Sequence, residues 1–212
     1  MRLCMFHPVG HPLERGWVGR VDGDRVVHLA AQTLQSFFTG GGTAREHAEY
    51  PLAEVRLLAP VLHPPSVRLF DDQTTFAFAN PAAVEAPGAL VVGPTAALTV
   101  RPRIAAVIGA DGAIGGFTGL AEWRAPGVEP PKDRDFALGL GPIVVTPDEA
   151  GVAARTDFDW DEATRIAAAG TVLYPGDIVA GPASAPLENL EAGASVSIAF
   201  DGVGVLEQRV GR

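Results

Sequence analysis

The chain has a single lysine: of its 16 basic side chains, every one but Lys132 is arginine. It also has a single cysteine, Cys4, which excludes an internal disulfide and any metal site built from several thiolates. Cys4 lies in an apolar stretch and reads as a small core hydrophobe. Histidine is missing after residue 63, the five being His7, His11, His28, His47 and His63. The rest of the chain therefore cannot supply a Ser-His or Cys-His catalytic pair from within itself. His7 and His11 flank a turn without HExxH or comparable ligand spacing, and read as surface polar groups, not metal ligands. No apolar run approaches the roughly 18 residues that a membrane helix needs, and the opening MRLCMFHPVG lacks the apolar stretch of a signal peptide. The formal net charge is −9, with no basic stripe, which argues against nucleic acid or an anionic membrane as partner. A cytoplasmic protein is expected.

What the chain has in plenty is turn residues. With 25 glycines and 18 prolines spread along an ordinary globular composition, many short strands are favoured over long helices. Residues 1–30 read as three strands, the last two meeting at the Asp22-Gly23 turn, a hairpin signal. A helix is expected over 31–48, broken by the glycines at 40–42, and PLAEVRLLAPV (51–61) is expected to be extended up to a His63-Pro64-Pro65 hinge. These make a small N-terminal α+β unit at 1–60. Residues 61–212 carry the strand-like runs LVVG, RIAAVIG, GPIVVT, DIVAG, ASVSIAF and GVLEQRV, and one convincing helix, DEATRIAAA (161–169). Short connections imply a mostly antiparallel β-roll or sandwich, so the fold class is α+β, mainly β.

Four phrases carry candidate chemistry. Arg101 and Arg103 lie two apart before the apolar run IAAVIG, so an extended strand points both guanidiniums to one face. GADGAIGG (109–116) is glycine-rich, but it lacks the Gly-Lys-Ser/Thr of a phosphate loop and reads as a hairpin turn. PPKDRDFALGLGPIVVTPDE (130–149) places Lys132, Asp133, Arg134 and Asp135 at a strand entrance, where a solvated rim is the plain alternative. YPGDIVAGPA (174–183) is a turn that launches a strand.

Taken in order, MRLCMF…GRVDGDRVVHL, VRLLAPV…PPSVR, RIAAVIG, GGFT, the lysine before DFALGLGPIVVTPDE, LYPGDIVAG and LEAGASVSIAFDGVGVLEQRV resemble the fumarylacetoacetate hydrolase family. The resemblance runs through nearly the whole chain. It implies a mixed β-roll with a small N-terminal unit, commonly a homodimer. It also implies enzymes that hydrolyse, decarboxylate or tautomerise 2-oxo acids and 1,3-dicarbonyls such as acylpyruvates. Those enzymes hold a divalent metal, Mg or Mn among others, on carboxylates, where it stabilises an enolate.

At the positions that match the family's metal ligands, this sequence departs. Its Glu-x-Glu pair corresponds to Arg101 and Arg103, and its aspartate to Glu122, the only matching ligand position left. A cation beside two guanidiniums at ~4 Å meets a repulsion of a few kcal/mol from each, so no metal is expected unless the family chemistry is retained. The lid segment with its Glu/His pair is absent after SVRLF, and the chain is shortened between Ile114 and Gly116 and between Glu122 and Lys132. Lys132 remains as the match to the active-site lysine. Two readings follow. In one, Arg101, Arg103, Lys132 and Arg134 line a positive pocket for a small 2-oxo acid or dicarboxylate. In the other, Arg101 and Arg103 neutralise Glu122 and a neighbouring aspartate as structural ion pairs. The first makes the chain a pseudoenzyme that binds a small anion or a protein partner. The alternative is a retained C–C hydrolase, decarboxylase or tautomerase, with Lys132 and the arginines stabilising an enolate and Glu122, Asp71 or Asp72 as base.

Overall fold

The computed structural model describes residues 1–13, 15–151 and 157–212. Arg2–Pro8 (β1), Trp17–Asp22 (β2) and Arg25–Leu29 (β3) form an antiparallel meander. The hairpin forms one residue later than the Asp22-Gly23 pair predicts: Asp22 pairs with Arg25, the two-residue loop is Gly23-Asp24, and Gly23 takes φ 60° at its first position.

The helix expected over 31–48 is confined to Leu34–Thr39 (α1). Thr33 caps it: its hydroxyl accepts from the Ser36 N–H while the Ser36 hydroxyl accepts from the Thr33 N–H. Gly41 and Gly42, at φ 86° and 69°, end the helix. The chain after them is recruited to the sheet, because Glu46–Pro51 (β4) pairs with β3. Residues 52–54 form a 3₁₀ turn, so beyond Pro51 only Val55–Leu58 (β5) of the 51–61 segment is strand, and it pairs with the end of β1.

Val67–Phe70 (β6), Phe76–Ala79 (β7), Val84–Glu85 (β8) and Leu90–Val91 (β9) lead into two long strands, Ala97–Ile108 (β10) and Ile114–Arg124 (β11). The GADGAIGG segment is the hairpin turn between them, as the sequence predicts. Leu138–Val145 (β12), the helix Trp160–Ala168 (α2), Ile178–Ala180 (β13), Leu187–Glu191 (β14), Ser195–Phe200 (β15) and Gly204–Val210 (β16) complete the chain. One sheet runs β4-β3-β2-β1-β12-β11-β10-β13-β6-β7, with β5, β8 and β14 attached to β1, β12 and β10. A second sheet runs β15-β16-β9. Pairing is antiparallel except where β8, β6 and β9 join β12, β13 and β16. The architecture is α+β and mainly β.

Alternation along the strands divides the core by the two faces of the large sheet. Phe6, Phe117, Trp123, Phe200 and Leu206 belong to one cluster, together with Trp160 and Ala163 of α2. Leu3, Met5, Leu120 and Leu140 belong to the other, together with Leu34 and Phe37 of α1. Cys4 is fully buried, and burial pushes its thiol up to about 12, so it is a core hydrophobe.

The second sheet sits so close to the first that two positions admit no side chain. A Cβ on Gly119 lies 2.2 Å from the Phe200 ring. One on Gly139 lies 2.3 Å from Gln208 Oε1, which is held by the indole N–H of Trp123 at 2.8 Å. Gly119→Ala is expected to lower the unfolding free energy by about 1–3 kcal/mol through overpacking. In urea denaturation the loss is smaller when Phe200→Leu is already present.

Candidate functional site

Arg101 and Arg103 share the face of β10 that Glu122 shares on β11: Arg101 pairs in register with Glu122, and Arg103 with Leu120 one step away. Glu122 has no exposed surface. Its Oε2 accepts from Arg103 Nε at 2.7 Å and lies 2.7 Å from Arg103 Nη2 and 3.6 Å from Arg101 Nη1. Its Oε1 accepts from Arg124 Nε at 2.6 Å, with Arg124 Nη2 at 2.5 Å. Three guanidiniums therefore enclose one carboxylate.

Arg103 is itself buried, and every nitrogen of its guanidinium is hydrogen-bonded. Besides Glu122, Nη1 donates to the carbonyls of Phe70 at 2.7 Å and Gly181 at 2.9 Å, and Nη2 donates to Asp71 Oδ1 at 2.5 Å. Arg101 Nη2 donates to the same Asp71 oxygen at 2.9 Å. At the other end Arg124 Nη1 donates to Asp133 at 2.6 Å, and Arg134 Nε donates to Asp133 at 2.9 Å. The result is one chain of alternating charge, Asp71–Arg101/Arg103–Glu122–Arg124–Asp133–Arg134. Its four arginines and three carboxylates leave one net positive charge.

The guanidiniums set the carboxylate chemistry. Partial burial pushes Asp71 up, but the hydrogen bond and charge of Arg103, helped by Arg101, hold it below the usual aspartate range. Asp133 behaves likewise, burial opposing the stronger combined pull of Arg134 and Arg124. Asp72, a candidate base, is turned away: its Oδ1 accepts from the Thr74 N–H and hydroxyl and the Thr75 N–H, which lower it.

The structure thus brings together Arg101, Arg103, Glu122 and, through Arg124 and Asp133, Arg134. It does not bring Lys132 to them. The Lys132 side chain is 76% exposed, and its Nζ pairs with Asp135 at 2.6 Å. Among the described residues no hydrogen bond or ion pair joins it to the cluster. The neighbouring aspartate foreseen as a partner for the arginines is Asp71. Arg124 was not foreseen, although its position two residues after Glu122 on one strand puts both on one face. Beside Gly181 a cavity of about 360 Å³ opens between Ile104, Phe158, Trp160 and Pro182, and the guanidiniums are not among its walls.

This donor set does not fit a divalent cation. Such ions need several oxygen ligands, whereas Glu122 has both oxygens turned to guanidiniums. Among the described residues no group of three or more His, Cys, Asp or Glu side chains is placed to hold a metal.

Known structures place the architecture. Maleylpyruvate hydrolase from Sphingobium sp. SYK-6 superposes over 100% of this chain and 99% of its own, with a TM-score of 0.77 and 21% identity. The same enzyme has been solved with manganese(II) and pyruvate. The fold is that of the fumarylacetoacetate hydrolase family. In this fumarylacetoacetate hydrolase fold the chain also matches 2-keto-3-deoxy-D-arabinonate dehydratase, over 100% of this chain and 99% of that one, with a TM-score of 0.81 and 15% identity. That dehydratase is known complexed with magnesium and 2,5-dioxopentanoate. A 5-carboxymethyl-2-hydroxymuconate delta-isomerase from Mycobacterium smegmatis matches over 100% of both chains at a TM-score of 0.76 and 22% identity. Residues 1–60 match the family model described as Rv2993c-like, N-terminal. No curated protein matches the sequence.

Two predictions follow from the ion chain. Removing one partner strands a buried charge, so Glu122→Leu is expected to cost about 3–5 kcal/mol in urea denaturation. Combined with Arg103→Met, the loss falls short of the sum of the singles by about 0.5–3 kcal/mol. Asp133 is held below its unfolded value, so its contribution is complete above the ordinary aspartate value of about 3.9 and is lost as pH falls through the lower folded value. The stability gap between wild type and Asp133→Asn, followed by urea midpoints, is expected to be level from pH 7 to about 5 and to close on further acidification.

Proposed function

We propose that this chain is a catalytically degenerate relative of the fold's oxo-acid enzymes, and that it works by binding a small anionic ligand of the 2-oxo acid or dicarboxylate kind. The observation that carries this reading is the enclosure of Glu122 by Arg101, Arg103 and Arg124. A general base needs a free lone pair, and enolate stabilisation needs a cation that is not already neutralised. Both Glu122 oxygens and every Arg103 nitrogen are already engaged, and Lys132 stands in solvent beside Asp135.

The neighbours' bound pyruvate and 2,5-dioxopentanoate supply the ligand class. On this reading residues 1–60 are a small unit docked on the β-roll of 61–212, and the protein is a cytoplasmic homodimer. The retained-enzyme alternative draws on the neighbours, which are a hydrolase, a dehydratase and an isomerase. It requires Lys132 and a base to act on one substrate.

Calorimetric titration with Mn²⁺ and Mg²⁺, with and without oxalate, together with acylpyruvate and oxaloacetate turnover, tests the proposal. No metal-dependent heat and no turnover are expected. Metal binding that oxalate strengthens, or turnover abolished by Lys132→Ala, overturns it.

A further inference from the structure

If the arginines of β10 are neutralised by their own neighbours, an anion must be held elsewhere. A cavity of about 290 Å³ lies between β1, the segment before β2, the start of α1 and the hinge after β5. Its polar lining is Arg15, His63, Gln35 and Thr33, and among the described residues no carboxylate is in its walls. The Thr33 hydroxyl is engaged in capping α1. The side chains of Arg15, His63 and Gln35 have no hydrogen-bond or ion-pair partner among the described residues. Met5, Pro60 and Leu62 form an apolar floor.

Two basic groups and an amide, all without partners among the described residues, thus converge on one hollow in a chain of net charge −9. The other large hollows differ. The one of about 850 Å³ against α2 carries Asp111 and Asp161, and its Arg165 is paired with Glu162. The one beside Gly181 carries Asp157.

We infer that the Arg15–His63 cavity is a binding site for a small carboxylate. Resting on the binder reading above, this deepens it by moving the anion site from the β10 arginines to the hinge. The guanidinium fork suits a carboxylate bidentately. The imidazole offers an N–H donor in either protonation state, and the Gln35 amide offers two more. The volume lies just under the ~300–1,000 Å³ typical of small-molecule sites, which sets a size of a few carbon atoms. The apolar floor favours a carboxylate with a short carbon chain over inorganic phosphate, which has no apolar surface to place there.

The test is titration of the purified full chain with 2-oxobutyrate, oxalate and inorganic phosphate, followed by amide chemical shifts and calorimetry. The variants are Arg15→Ala, Arg15→Lys, His63→Ala and Arg101→Gln, each checked for an intact thermal transition. Saturable carboxylate binding is expected. It should weaken about tenfold or more in Arg15→Ala and less in Arg15→Lys. It should also weaken in His63→Ala and stay unchanged in Arg101→Gln. Binding that survives Arg15→Ala and His63→Ala overturns the site and leaves the binder reading standing. Absence of binding by any of the three anions overturns both. Phosphate binding tighter than 2-oxobutyrate overturns the carboxylate assignment.

Discussion

A carboxylate with no exposed surface stays charged only if its neighbours replace the water it has lost. Glu122 meets that condition through guanidiniums on its own strand and on the strand beside it, and much of the local structure is arranged to supply them. β10 and β11 must be in register to set Arg101 opposite Glu122. The carbonyls at the ends of β6 and β13 must arrive to absorb the remaining donors of Arg103. Asp71 and Arg134 then terminate the chain of charges.

A carboxylate among cations leaves no polar hollow for water, because each of its oxygens already meets a guanidinium. The position is a charged knot where two strands' inner faces meet the loops after β6 and β13. Whatever this protein binds, the knot is a poor place for it, because each donor that a ligand asks for must first be taken from a buried partner.

Much of this was legible in the sequence, for identifiable reasons. The two-residue spacing of Arg101 and Arg103 fixes a shared face, and the Asp-Gly pair fixes a hairpin, because both depend on local geometry alone. The helix expected over 31–48 was too long because recruitment of Glu46–Pro51 by β3 is a tertiary event. Arg124 lies outside the matched phrases, yet period-two alternation from Glu122 points to it. That Lys132 belongs to the solvent, with Asp135, is set by the path of the loop between β11 and β12, for which no periodicity exists.

Arg103 bonds to groups 19, 33 and 78 residues away along the chain. No fragment of the protein contains all of them in place until β6, β10, β11 and β13 have met. Loop closure over such separations costs entropy before any contact compensates it. Sequence separation of this kind favours late formation of the knot, and interactions formed after the barrier slow escape from the native state more than they speed arrival. In that light the arginines around Glu122 act as a latch: they lengthen the lifetime of the folded sheet without guiding its assembly.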